Sequence, residues 1–279
     1  MSNTILGVDL GGTNIRCAEL KDKSLRNKQS VAVNKQGKES VLSQLKALIS
    51  KNISSDVNGI GIGVPSYVDV DKGIVYDVVN LPGWDEVPLK TIMEDEFNLP
   101  VEINNDANCF VLGEKHYGLA KEYQNVVGLT IGTGAGAGVI INGRLYNGRN
   151  CGAGEFSCLP FKDKYYEYYT SSEFFNGEYQ TTALDQFMRA NAGDAKAQKI
   201  YYEYGCNLGE LIKVVLTTYD PEIIVLGGSI SNAWEYFNEA MFSTLESFHF
   251  QQYIRNLKIE VSKSTDMGLY GAAHLLLQK

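Results

Sequence analysis

From Ile5 to Leu10 the chain is apolar almost without interruption, breaks into Gly11-Gly12-Thr13, and resumes as a second apolar run from Ile15 to Leu20. The pattern returns 121 residues later, where Val126 to Ile131 gives way to Gly132-Thr133-Gly134 and an apolar run resumes from Gly138 to Ile141. Two apolar runs around a glycine-rich break predict a β-hairpin. The segments 5–13 and 126–134 correspond position by position. That echo predicts a duplicated fold with a cleft between its halves.

Between the echoes, Val41, Leu42, Leu45, Leu48 and Ile49 recur at helical spacing, and Leu89, Ile92, Met93 and Phe97 do so again before Pro100. Short apolar strands are predicted at 59–64 and 101–103. A helix is expected from about Ala107 to His116. Further on, Ile200, Tyr204, Leu208, Leu211, Ile212 and Val215 mark a long helix that ends near Asp220-Pro221, where the strand Ile223 to Leu226 begins. Strands alternating with helices predict layered α/β architecture. No low-complexity or Pro-rich linker intervenes, so the two domains are expected to join directly, as 1–105 and 106–279. The last helix, about 268–279, is expected to be able to pack back on the N-terminal domain.

A chain of 279 residues can bury a core without covalent staples. Its five cysteines, Cys17, Cys109, Cys151, Cys158 and Cys206, are odd in number and sit in apolar or glycine-rich sequence, which fits a reducing compartment. The start carries no charged leader and no long hydrophobic stretch, so a cytoplasmic address and no membrane are expected. Lys plus Arg number 25 against 33 Asp plus Glu, a net charge of -8, and no basic run could follow a nucleic-acid backbone. An acidic chain can still take ATP, because backbone N–H groups and Mg²⁺ hold its phosphates.

Three glycine-bearing turns and one acidic segment carry the candidate chemistry. Asp9 ends an apolar strand just ahead of Gly11, Gly12 and Thr13, so its carboxylate could hold Mg²⁺ through water while the turn meets phosphate oxygens. An ordinary tight hairpin would use the same glycines. Gly132-Thr133-Gly134-Ala135-Gly136-Ala137-Gly138 has more glycine than a hairpin requires and reads as a second phosphate grip. Gly227-Gly228 lies between a strand and a helix, where adenine could rest on bare backbone or where the chain merely turns. Asn104-Asn105-Asp106-Ala107-Asn108 opens a helix, with Asn105 or Asp106 a candidate N-cap. Both halves of the duplication meet there, so Asp106 is expected in the cleft, ionised and able to accept a hydroxyl proton.

Together with Gly61-Ile-Gly63-Val-Pro65, Asn80-Leu-Pro82-Gly83-Trp84, Gly152-Ala-Gly154-Glu155 and Gly268-x-x-Gly271-Ala272-Ala273, these segments resemble, in order and over nearly the whole chain, the ROK family of repressors, open reading frames and kinases. The resemblance implies the actin-like ATPase (ribonuclease H-like) α/β fold and ATP-dependent phosphorylation of a hexose, glucose O6 first. It implies Asp106 as general base, and Asn80, Asn105, Asp106, Glu155 and Glu167 as sugar contacts. ATP would be held at Asp9, Gly11, Gly12, Thr13, Gly132, Thr133, Gly134, Gly227 and Gly228, with Mg²⁺ at Asp9 indirectly. A homodimer is implied as well.

The chain departs from the family pattern at three places. Cys158 stands where relatives usually carry histidine, the cysteine-rich zinc cluster after it is missing, and Ser66 replaces the glycine after Pro65. No zinc is expected, since Cys151 and Cys158 are too few ligands for a tetrahedral site. The lost histidine leaves open a kinase for an N-acetylated hexosamine, mannose or fructose, or a catalytically silent sugar-binding protein. Repressors of the family carry a helix-turn-helix domain ahead of the first glycine motif, and only eight residues precede Asp9. Of the histidines, His116 is expected charged at a helix end, while His249 and His274 stand alone.

Overall fold

The computed structural model of the chain describes residues 4–78 and 81–278. They divide into two compact units: the first holds residues up to Lys121, Leu145–Ala153 and the tail from Asp266, and the second holds Glu122–Arg144 and Gly154–Thr265.

In the first unit β1 (Thr4–Leu10), β2 (Asn14–Lys21) and β3 (Ser24–Ala32) form an antiparallel meander. Helix α1 (Lys38–Asn52) buries Val41, Leu42, Leu45, Leu48 and Ile49, and leads into β4 (Val57–Val64), which lies parallel to β1. A small sheet of β5 (Tyr67–Asp69), β6 (Ile74–Tyr76) and β7 (Glu86–Val87) follows, then α2 (Leu89–Phe97), closed by Asn98 in the left-handed region two residues before Pro100. Strand β8 (Val101–Asn105), parallel to β4, completes the sheet order β3-β2-β1-β4-β8, and α3 (Asp106–Tyr117) leaves its end.

The second unit repeats this order. Strands β9 (Val126–Ile131) and β10 (Ala135–Ile141) form the second hairpin, with the short β11 (Arg144–Leu145) beside it. After the ribbon β12 (Pro160–Phe161) and β13 (Lys164–Tyr165) come α4 (Tyr166–Thr170), α5 (Ser172–Tyr179), α6 (Ala183–Asn191) and α7 (Ala195–Tyr219). Helix α7 starts at Asp194, whose side chain accepts from Lys196 and Ala197 N–H, and stops at Asp220 in the left-handed region before Pro221. Strand β14 (Ile223–Gly227) is parallel to β9, and helices α8 (Trp234–Leu245) and α9 (Gln251–Asn256) precede β15 (Lys258–Val261). The order is β11-β10-β9-β14-β15. An antiparallel meander continued by two parallel strands, made twice, is the actin-like ATPase fold.

Helix α10 (Met267–His274) returns to the first unit and explains the spacing of glycines there. A Cβ on Gly7 would overlap the Leu269 carbonyl oxygen, and one on Gly61 the Ala272 carbonyl oxygen. Strand side chains alternate with period two, so Gly59, Gly61 and Gly63 share one face of β4 and let α10, Pro100 and α3 lie against bare backbone. Helices α3 and α10 meet through Gly113, under the Met267 carbonyl, and Gly271, under the Cys109 carbonyl. This clasp corrects the boundary expected between 105 and 106: α3 belongs to the first unit, because its Gly113 packs on α10. No described helix is long and apolar enough to cross a membrane.

Candidate functional site

In the first unit the chemistry gathers where the parallel strands end. Asp9 pairs with Gly63 across β1 and β4, and Gly63 pairs with Asn104 across β4 and β8. The three lie in one row, so Asp9 and Asn104 are two strand spacings, about 10 Å, apart. The carboxyl ends of parallel strands are where open α/β sheets bind ligands.

The Asp9 carboxylate accepts from Arg16 Nε at 3.1 Å and from an Arg16 terminal nitrogen at 2.5 Å, both on Oδ2. Arg16 sits opposite Asp9 in the β1–β2 register, which is why the hairpin delivers it there. The hairpin turn itself is closed by the Gly11 N–H on the Asn14 carbonyl at 2.9 Å, with Thr13 exposed. An oxygen donor already paired with a guanidinium suits a metal held through water, and not a cage of direct ligands. Among the described residues no three His, Cys, Asp or Glu side chains gather as a metal site.

Of the two candidate caps, Asn105 is the one used. Its Oδ1 accepts from Ala107 N–H at 2.8 Å and Asn108 N–H at 3.3 Å, while its Nδ2 donates to the Ser66 carbonyl at 3.1 Å. Asp106 is the first residue of α3, half-buried, with Oδ1 taking the Ala107 N–H at 2.8 Å. A carboxylate in a first helical turn is stabilised in its ionised form by the helix dipole. Ser66 has φ 84, a conformation that favours glycine, and its Oγ donates toward the Tyr76 and Asp77 carbonyls at 3.0 and 3.1 Å. Asn80 lies outside the described residues.

In the second unit the turn after β9 is closed by Gly132 N–H on the Gly134 carbonyl at 2.9 Å. One residue the motif reading gave no role holds it: Ser172 N–H donates to the Gly132 carbonyl at 2.8 Å and Ser172 Oγ to the Thr133 carbonyl at 3.1 Å. Its signal was Ser171-Ser172, since a serine pair before an apolar run marks a helix start. Gly227 ends β14 opposite Thr130, and Gly228 follows at φ 86 with its α-carbon against the Ile131 backbone, where any Cβ would overlap. Gly132 and Ser229 lie close together, so the two glycine turns share one edge of this sheet.

Glu167 reaches that edge from α4 and accepts from Ala135 N–H at 3.1 Å; a Cβ on Gly134 would stand 2.5 Å from the same carboxylate oxygen. Burial, with Glu173 and Glu155 nearby, raises the Glu167 pKa above its ordinary range although the Ala135 bond opposes the shift. Glu155 is exposed, one residue after Gly154, whose φ of 103 lets it pack on the Ala137 carbonyl. Cys158 Sγ lies 3.6 Å from Glu155 Oε2, and burial, then the Glu155 charge, pushes its thiol up, so the proton stays on sulfur. Glu155 and Glu167 thus form an acidic pair within this unit, with the neutral Cys158 thiol beside Glu155. His116 differs from its expected charge: it stacks on His274 at 3.7 Å between ring centroids, and burial followed by the Lys115 charge lowers its pKa.

A glucokinase of Halalkalibacterium halodurans is 28% identical over 314 aligned positions, covering 98% of this chain and 95% of that protein. An N-acetyl-D-glucosamine kinase of Pasteurella multocida is 29% identical, over 98% of this chain and 99% of the other. The solved structure of a ROK hexokinase from Thermus thermophilus matches with a TM-score of 0.81 at 26% identity, over 99% of each chain. The sequence model of the ROK family matches residues 5–279, so this chain belongs to the ROK family.

Proposed function

We propose that this ATP-dependent sugar kinase phosphorylates a hexose hydroxyl, glucose O6 first, with Asp106 as general base. The observation that carries the reading is the place of Asp106: first residue of a capped helix, half-buried, at the carboxyl edge of the parallel strands. Family membership and relatives named for glucose and N-acetylglucosamine phosphorylation support it.

Phosphoryl transfer asks a protein chiefly to hold donor and acceptor in line and to offset charge on the phosphate oxygens. Asp106 would take the hydroxyl proton as the oxygen attacks. Asn105 can offer its Nδ2 to the sugar, its oxygen being spent on the cap, and Asn80, Glu155 and Glu167 would bind the remaining hydroxyls. Gly12, Thr13, Thr133 and Gly134 would present N–H and hydroxyl donors to phosphate, Gly11 and Gly132, whose N–H groups close the turns, would let phosphate approach bare backbone, and Gly227 and Gly228 would be left bare for the base of ATP. Asp9, already paired with Arg16, would hold Mg²⁺ through water. Bound Mg²⁺ would neutralise charge on the phosphate oxygens. No structural zinc is part of the proposal.

The test is Asp106→Asn. Asn keeps an oxygen for the Ala107 N–H and leaves the Asn105 cap in place, so the variant should fold and bind sugar. ADP release with glucose, mannose, fructose and N-acetylated hexosamines should drop at least ~100-fold for whichever sugar the parent turns over. Full turnover by the variant would remove Asp106 as the base, and a parent inert toward every sugar would favour a sugar-binding protein.

A further inference from the structure

Behind Asp106 lies a closed polar cluster made wholly within the first unit. Asn104, Asn108 and Cys151 are 4%, 1% and 4% exposed, and all three meet. Asn104 Oδ1 faces Asn105 N–H at 2.8 Å, Asn108 Nδ2 at 3.0 Å and Cys151 Sγ at 3.1 Å. Asn104 Nδ2 donates to Asn147 Oδ1 at 3.1 Å, and Asn108 Nδ2 lies 3.3 Å from both Asn147 Oδ1 and Cys151 Sγ.

A single backbone group fixes every direction in this cluster. The Asn105 N–H can only donate, so the atom of Asn104 that faces it must be oxygen. Asn108 must then present its amide nitrogen to that oxygen, and Cys151 its S–H. The Asn108 oxygen is left buried with no partner, an arrangement that costs about 1–3 kcal/mol. Cys151 also sits at φ 57, where glycine or asparagine would be less strained. A cluster that tolerates both costs is not arranged for stability alone.

We propose that Cys151, with Asn104 and Asn108, is a positioning residue for phosphoryl transfer. Its thiol holds the Asn104 amide, which holds the backbone of Asn105, and Asn105 caps the helix whose first residue is Asp106. The inference rests on Asp106 being the base. It gives the segment Leu145–Ala153 a part in the chemistry that no contact with a sugar or nucleotide requires.

The test compares Cys151→Ala and Cys151→Ser, with MgATP and the sugar the parent turns over fastest. Alanine removes both thiol bonds, and serine restores a donor and an acceptor at the same place. A misplaced catalytic group can cost up to ~100-fold, so Cys151→Ala should lose about 10-fold or more in kcat with KM for ATP within about twofold. Cys151→Ser should stay within about threefold of the parent. Parental kcat in the alanine variant, equal losses in both, or losses that only track the folded fraction would each overturn the proposal. If Cys151→Ala fails to fold, Asn147→Ala, at a partly exposed position, should lower kcat several-fold by the same route, and an unchanged kcat there counts against it. Asp106→Asn run alongside separates the two ideas. Full turnover in that variant overturns the base and this proposal together, whereas an inactive Asp106→Asn beside a fully active Cys151→Ala overturns this proposal alone.

Discussion

Replacing Gly271 by alanine tests whether bare backbone contact holds α10 on the first unit. A Cβ there would overlap the Cys109 carbonyl oxygen and stand 2.5 Å from its carbon and 2.9 Å from Gly113 N. Carbon atoms pack best at ~3.5 Å, so α10 must retreat from α3 by about 1 Å or more. No side chain can rotate to absorb this, because the obstructing atoms are main chain. Retreat also opens the contacts of Gly7 and Gly61 with the Leu269 and Ala272 carbonyls. Overpacking costs about 1–3 kcal/mol where rotamers can yield; here the loss should reach about 3 kcal/mol or more. Gly37→Ala is the control: with φ 125, ψ 173 and nothing within 4 Å, it carries only the backbone penalty, about 1–3 kcal/mol. Equilibrium urea unfolding, followed by the buried Trp84, measures both. A Gly271→Ala chain within about 0.5 kcal/mol of the parent, or no worse than Gly37→Ala, would refute the clasp.

Two further outcomes follow from the titratable groups. Burial, then the His116 charge, lowers the His274 pKa from 6.5 to about 4, so the unfolded chain binds its proton first. Stability should therefore be full above pH 6.5 and fall as the pH approaches 4, and a flat urea midpoint across that window, or an equal slope in His274→Asn, would count against the burial argument. Cys158→His places a larger donor beside Glu155 and Glu167, and should change the ratio of kcat/KM between glucose and N-acetylglucosamine by ~10-fold or more. An unchanged ratio would mean that the position does not face the sugar.

The hairpins, the long helix α7 and both parallel strands of the first sheet were legible because apolar periodicity writes them directly. Strand β4 was legible as a strand, but the reason for Gly61 was not, since the helix that lies on it comes some two hundred residues later. The same distance hid the true edge of the first unit, for α10 decides where α3 belongs. The places of Asp9, the two glycine hairpin turns and Asp106 could be read from residue type at a strand end. Arg16 was not singled out, because its bond to Asp9 depends on the hairpin register. The cluster around Asn104 could not be read at all: it needs Cys151, 47 positions away along the chain.

The division of labour between Asn105 and Asp106 carries the functional argument further than either residue does alone. A helix start leaves several N–H groups without partners, and something must accept from them. Asparagine caps as well as aspartate does, and with Asn105 in that position Asp106 gains the dipole of the helix while its Oδ1 shares the Ala107 N–H with the cap. The cap must then be held itself, because an error there moves the carboxylate by the same amount. Asn104 and Cys151 hold it from behind, and Ser66, strained at φ 84, receives its Nδ2 from the side. Strain at Ser66 and Cys151 and an unpaired oxygen on Asn108 all fall within this one group, which is where a fold accepts cost when position matters more than stability.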